Sequence, residues 1–381
     1  MSTTLNAWTS RTRLGRQFTR GALYLAAFAL ASTVQATPAA TRPVPRPSEA
    51  RQAGPIQVVV VTLDGVRFRE VFEGVDPELA RARGVPPTAW QSASDLLPNL
   101  HRLMSRDGAA LGAPGLGPGI SASGPNFVSL PGYSEIFSGR RVTGCTDNAC
   151  RGSNAPSVAD ELAARRWHSA VVTSWPDIAR VAVHGADVAV SAGRHAGRTR
   201  SHFERNDEVG LALRRAEGES PWPGSGDFRR DRFTAALALA YLQSAQPQFL
   251  FVGLGETDEF AHQGNYGGYL EALREADQHI GELADVLATR ARAGVRTALF
   301  VTADHGRADS FRDHGQPYPE SARVWLVASG AAIAPRGLVA TSEARRLADI
   351  APTLRTLFGL PADRSPTAGS PLRELLAPAL H

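Results

Sequence analysis

Short, continuous apolar runs alternate with helical patterns along most of the chain. Val58-Val-Val-Val-Thr-Leu63, Phe249-Leu-Phe-Val-Gly-Leu254 and Thr297-Ala-Leu-Phe-Val-Thr-Ala303 lack the in-out alternation of a half-exposed strand. That is the pattern of parallel-sheet strands covered by helices on both faces. The full pass predicts strands at 57–63, 169–174, 248–254, 296–303 and 323–328. Helices are predicted near 96–107 and at 132–138, 156–166, 231–244, 267–291 and 342–358. Such alternation implies an α/β fold with a mostly parallel central sheet and helices on both faces. Residues 184–230 are rich in Arg, Gly and acids and poor in apolar periodicity, so they read as a small cap or insertion over the sheet edge.

Each of the three strongest runs ends in residues that bind metals. The first leads into Asp64-Gly65 and the third into Asp304-His305. After the second come Asp258 and His262, whose i, i+4 spacing puts them on one face of a helical turn. Ligands of parallel sheets gather outside the carboxyl ends of the strands, so Asp64, Asp258 and Asp304 are expected to converge. Asp and His side chains delivered by separate strand ends suggest a binuclear metal site.

Composition adds an address. Residues 1–36 carry Arg11, Arg13, Arg16 and Arg20 and no acid, then an apolar stretch from Gly21 to Val34 and the small-residue pattern Val34-Gln-Ala36. This reads as a signal peptide, too short to span a membrane. It has no arginine pair, so general secretion, to the periplasm, is expected. Thr37 to Pro55, with five prolines, reads as a linker. The divisions that follow are a catalytic domain at 56–361 and a C-terminal tail at 362–381. Without the leader, 41 basic residues become 37 against 37 acids, and net charge gives no support to a nucleic-acid-binding surface. In an oxidising compartment Cys145 and Cys150 are by default a disulfide, with a two-cysteine metal site as the competing reading.

Several motifs, taken together, resemble the alkaline phosphatase superfamily, nearest its nucleotide pyrophosphatase/phosphodiesterase branch. They are Thr62-Leu-Asp64-Gly, Leu97-Pro-Asn-Leu-His-Arg-Leu103, Ser129-Leu-Pro131, Asp258-Glu-Phe-Ala-His262, Thr302-Ala-Asp-His-Gly306, Asp313-His314-Gly and Leu347-Ala-Asp-Ile-Ala-Pro-Thr-Leu354. The resemblance implies that one metal takes Asp258, His262 and His314. The other takes Asp64, Asp304 and His305, with the nucleophile Ser129 as a further ligand. Such N and O ligands suit two zinc ions, manganese or another divalent metal being compatible. Three carboxylates and a Ser129 alkoxide would balance their charge. The resemblance also implies an asparagine that holds a phosphoryl oxygen, for which Asn148 is nearest and Asn154 next.

Read singly, the same residues have plainer roles. Asp64 or Asp258 alone could be a helix cap and Ser129 a cap for helix 132–138, and His314 alone an ordinary loop histidine. His168, His184, His195 and His202 stand in no motif. Sulfatases of the superfamily mature a Cys or Ser followed by x-Pro-x-Arg, but here the last position is Tyr133. The chain has no lysine, so a side-chain cation for the phosphoryl group must be arginine, with Arg140, Arg141 and Arg180 as candidates. The expected function is a secreted two-metal hydrolase of small-molecule phosphoric esters, monoester or diester, acting through a Ser129 phosphoenzyme. The alternatives are a metal-dependent phosphomutase, a sulfatase-like hydrolase and a non-catalytic periplasmic metal-binding protein. No membrane span is expected after signal cleavage, and the oligomeric state is not legible.

Overall fold

The segment Ile56–Leu63, β1, is buried at every position, which requires both faces of its sheet to be covered. The computed structural model describes residues 56–195, 203 and 207–378. The expected signal peptide and linker lie outside the described residues, as do parts of the 184–230 segment. The remaining strands are β2 (Gly108–Leu111), β3 (Ile120–Ser121), β4 (Ser169–Thr173), β5 (Ala189–Ala192), β6 (Phe249–Leu254) and β7 (Arg296–Thr302), then β8 (Arg323–Val324), β9 (Leu326–Gly330), β10 (Gly337–Leu338) and β11 (Arg345–Arg346).

Eight of them form one sheet in the order β10-β2-β9-β7-β1-β6-β4-β5, and β11, β3 and β8 form a small second sheet. In the large sheet β7, β1, β6, β4 and β5 are mutually parallel, and β9 runs against its neighbours. Val60 sits between Phe251 and Phe300 in register, so the three most apolar runs lie side by side and their carboxyl ends open on one edge. This is the predicted mostly parallel α/β architecture. The helices Asp231–Ala245 and Tyr266–Arg292 pack against β6 and β7.

Several elements differ from the sequence expectation for local reasons. The 96–107 helix is broken, because Pro98 begins a new helix and takes Leu97 out of helical geometry (φ −130°, ψ 61°). The predicted strand 323–328 divides between β8 and β9, which belong to different sheets. The last helix is shorter than 342–358, spanning Ile350–Phe358 after the β11 pair and one 3₁₀ turn. The segment 184–230 contributes β5, the edge strand of the large sheet, and a helix, Asp207–Glu217, that packs on Asp231–Ala245. Residues 362–378, set apart in the sequence as a tail, bury Leu372, Leu375 and Leu376. No helix among the described residues is long and apolar enough to cross a membrane.

Candidate metal centre and catalytic serine

The ends of β1, β6 and β7 are tied to one another. The Asp64 amide donates to the Leu254 carbonyl at 2.9 Å, and the Thr257 hydroxyl donates to the Asp64 carbonyl at 2.7 Å. Gly65 donates its amide to Asp304 Oδ1 at 3.1 Å. Its φ is +61°, and a Cβ there would stand 2.5 Å from Asp258 Oδ1, so only glycine fits where the three strand ends meet.

Ser129 opens the helix Ser129–Ser138, three residues earlier than the sequence pattern suggested. The cap position is Val128, not Ser129, which leaves the serine hydroxyl free of backbone duty. Ser129 Oγ lies 3.3 Å from Asp64 Oδ1 and 3.2 Å from His305 Nε2. One turn on, the buried Tyr133 hydroxyl donates to Asp64 Oδ2 at 3.1 Å. Gly132 lets this helix seat directly on the backbone, since a Cβ there would lie 2.2 Å from the Asp304 carbonyl oxygen.

The structure brings together all six expected ligands in two groups, Asp64 with Asp304 and His305, and Asp258 with His262 and His314; within each group the donor atoms lie within 4.8 Å of one another. His305 Nε2 is 3.4 Å from Asp64 Oδ1 and 3.5 Å from Asp304 Oδ2. His262 Nε2 is 3.1 Å from Asp258 Oδ2 and 3.1 Å from His314 Nε2. The His305 and His314 rings stack with centroids 3.9 Å apart, joining the groups. His305 Nδ1 is engaged with the Gly306 carbonyl at 2.8 Å and His314 Nδ1 with the Phe127 carbonyl at 3.0 Å, so each presents Nε2, the arrangement that orients metal-binding imidazoles.

The donor set fits divalent cations. Asp304 Oδ2 is buried without a hydrogen-bond partner among the described residues, an expensive state for a carboxylate unless a cation completes it. Burial, and then the Asp258 charge, push Asp64 up to about 7. Burial and the Asp64 charge raise Asp304 well above the carboxylate range. Burial lowers His305 to about 4 and His314 to about 3, keeping both imidazoles in the neutral form that metals require.

These shifts carry a testable sign. A carboxyl raised in the folded state binds more protons folded than unfolded, so its contribution to stability falls as pH rises through that range. The lowered histidines oppose this below about 6.5, their ordinary value, and drop out above it. The metal-stripped protein should therefore lose stability between about pH 6.5 and 8.5, and metal loading should reduce that loss. Urea unfolding at the two pH values checks it; stability that is flat or rising in chelator would refute the carboxylate arrangement.

Sequence reasoning missed Arg307. Its wholly buried guanidinium donates to the carbonyl and to Oδ1 of Asp258. Its place at the end of Thr302-Ala-Asp-His-Gly-Arg307 was the one signal available. Of the arginines the sequence singled out, Arg140 is paired with Asp363 at 2.6 Å, at the far end of the nucleophile helix. Arg141 is exposed, with its amide on the Thr367 carbonyl. Arg180 donates to the Asn148 carbonyl. None of the three lines the cleft beside Ser129. Asn148 does line it, and its Oδ1 accepts from the Leu130 amide at 2.9 Å, which turns the amide nitrogen outward as a donor. Asn154 is not among the lining residues. Cys145 and Cys150 form a disulfide around Asn148, so the two-cysteine metal site is not formed. The cleft is about 180 Å³ and is lined by Trp175, Phe228 and Glu259 as well as by Ser129 and metal ligands. Burial, then the Asp258 and Asp64 charges, raise Glu259 to about 7.

Residues 229–362 match the family model of the Metalloenzyme superfamily, the stretch carrying five of the six ligands. Part of the chain is similar to the 2,3-bisphosphoglycerate-independent phosphoglycerate mutase of Roseobacter denitrificans, 34% identical over 141 residues, which cover 36% of this chain and 25% of the mutase. The Rhodopseudomonas palustris mutase is 29% identical over 133 residues, 35% of this chain and 25% of that protein. The chain thus spans about a quarter of the length of these curated relatives. Among solved structures, a protein in the alkaline phosphatase superfamily from Vibrio parahaemolyticus superposes with TM-score 0.54 at 16% identity, covering 84% of this chain and 70% of that one. A 2-O GAG sulfatase superposes with TM-score 0.53 at 14% identity, covering 83% and 73%. The fold is alkaline-phosphatase-like. In that fold, and in the segment that matches the metalloenzyme model, the chain is similar to the alkaline phosphatase superfamily.

Proposed function

We propose that this protein hydrolyses small-molecule phosphoric esters through a phosphoserine at Ser129. The observation that carries the reading is the position of Ser129 Oγ, within 3.3 Å of Asp64 Oδ1 and 3.2 Å of His305 Nε2, at the head of a ten-residue helix whose amides favour an anion. Asp64, Asp304 and His305 would hold one divalent metal and Asp258, His262 and His314 the other. Two such ions, zinc in our reading, supply Lewis acidity that lowers the serine pKa and offsets charge on the transferring phosphoryl group.

The chain's own residues do the rest. Tyr133, bound to Asp64 Oδ2, fixes that carboxylate while its Oδ1 accepts the Ser129 hydrogen. Ser129 Oγ bonds to phosphorus as the ester oxygen departs on the His262 side, and the Asn148 amide nitrogen donates to a non-bridging oxygen. Water then attacks the phosphoserine, the bond from phosphorus to Ser129 Oγ breaks, and the serine is restored. Tyr133 occupies the position where sulfatases carry arginine, and its use in orienting Asp64 supports phosphoryl rather than sulfuryl transfer. The similarity to mutases favours a second reading, return of the phosphoryl group to a substrate hydroxyl.

Our reading keeps the chain near the nucleotide pyrophosphatase/phosphodiesterase branch on the motifs quoted above. It also keeps the mature protein in the periplasm, on the arginine-bearing apolar leader and the Cys145–Cys150 pair. The test is turnover of 4-nitrophenyl phosphate, bis(4-nitrophenyl) phosphate and 4-nitrophenyl sulfate by protein loaded with zinc or manganese. Release from a phosphate ester with free phosphate as product is expected, the sulfate ester being inert. Phosphoryl transfer to an added alcohol without phosphate release would favour the mutase, and no turnover of either phosphate ester would overturn the reading.

A further inference from the structure

The cleft beside Ser129 is lined by two unlike sets of residues. One set is Ser129, Asn148, Asp64, Asp258 and His262, the machinery already described; the other is Trp175, Phe228 and Glu259. The second set has no task in the phosphoryl step, yet its aromatic members are held by a dense set of contacts. Trp175 follows the carboxyl end of β4. The Arg229 amide donates to the Ser174 carbonyl at 3.0 Å, and the buried Arg229 guanidinium bonds to the Thr173 carbonyl and to Ser191 Oγ and carbonyl. Phe228 is thereby pinned next to the strand end that bears Trp175. Gly255 keeps the space for its ring, because a Cβ there would lie 2.9 Å from Phe228 Cε2.

Glu259 adds a carboxyl group beside the partly exposed Trp175 and the buried Phe228. It lies one residue beyond Asp258 on the helix Glu256–His262, is only partly exposed, and its carboxylate makes no hydrogen bond or ion pair among the described residues. Among the described residues no arginine lines the cleft, and the chain contains no lysine. Arg180 is turned onto the Asn148 carbonyl and towards Asp177. Arg307 lies wholly buried against Asp258. Among the described residues, a leaving group bearing further phosphates or a carboxylate would therefore meet a carboxylate and no counter-charge. Aromatic faces beside a lone carboxylate instead attract an alkylammonium ion, through the ring quadrupoles and the charge together.

We infer that the leaving group of the natural ester is an alcohol carrying an ammonium group, primary or quaternary, seated between Trp175, Phe228 and Glu259. This rests on the phosphoric-ester reading of the same site. Two measurements separate the two claims. The first is the ratio of kcat/KM, followed by phosphate release, for 2-(trimethylammonio)ethyl phosphate over its uncharged counterpart 3,3-dimethylbutyl phosphate, with 2-aminoethyl phosphate as a further arm that tells primary from quaternary. The wild-type ratio should favour the ammonium ester, and Glu259→Gln should lower that ratio by about tenfold. The second needs no turnover: saturation-transfer NMR of the metal-loaded protein with tetramethylammonium as probe and tert-butanol as its neutral control. Tetramethylammonium should bind in preference to tert-butanol, and the preference should shrink in Glu259→Gln and in Trp175→Leu. Selective binding without hydrolysis of any phosphate ester would uphold the ammonium site and remove the hydrolase reading. Hydrolysis with an unchanged ratio in Glu259→Gln, or equal binding of the two probes, would overturn the ammonium site and leave the hydrolase reading standing.

Discussion

Ser129→Ala is expected to retain its metals and to lose turnover by at least about 10³-fold, the scale on which removal of a covalent nucleophile acts. Six other side chains remain to hold the ions, and alanine fits the start of the helix, whose cap is Val128. Ser129→Thr should keep part of the activity, since it supplies the same hydroxyl. Acid quench during turnover should trap a phosphoserine in the peptide Ser129-Leu-Pro-Gly-Tyr133. A purely structural serine would behave differently, with a small change in stability and chemistry intact. Near wild-type turnover in Ser129→Ala would therefore sink the covalent mechanism even with both metal groups correct.

The second large effect concerns the metals. Metal analysis of purified protein should return about two divalent ions per chain, and chelation should abolish activity, with recovery on adding zinc. Asp304→Asn should weaken metal binding by at least about 100-fold. The substitution preserves shape and the Gly65 hydrogen bond to Oδ1, yet removes the charge behind the partnerless Oδ2. His262→Ala should act in the same direction on the other ion, through a side chain more exposed than that of Asp304. Full activity after exhaustive chelation would contradict the whole arrangement.

What could be read from the sequence follows the physics of a parallel sheet. The central strands β1, β6 and β7 are buried on both faces, so they announce themselves as unbroken apolar runs, and Asp64, Asp258 and Asp304 sit immediately beyond them. The weaker strands did not announce themselves. Ala189–Ala192 is a four-residue edge strand of small side chains, and Arg345–Arg346 is a two-residue strand on β3 whose Arg345 side chain is paired with Glu374. The role of Arg307 was hidden because its partner, Asp258, is 49 positions away. Tyr133 was read only as the absence of a sulfatase arginine, whereas the fold uses it to orient Asp64. The aromatic lining of the cleft was invisible for the same reason: Trp175, Phe228 and Glu259 come from three separate stretches and meet only when β4 and β6 lie side by side.

The seating of Gly132 on the Asp304 carbonyl makes the serine and the metal ligands a single mechanical part. With backbone resting on backbone, the nucleophile helix can neither roll nor slide by a residue without colliding with the strand end that carries Asp304 and His305. Variation is therefore channelled. The stretch from Ser129 to Tyr133 is closed to change at Gly132 and Tyr133 as well as at the reacting hydroxyl, while the aromatic lining, held by independent contacts around Arg229, can be rebuilt to accept new leaving groups without moving the serine relative to its metals. A library directed at Trp175, Phe228 and Glu259 would thus explore substrate range on a fixed chemical engine.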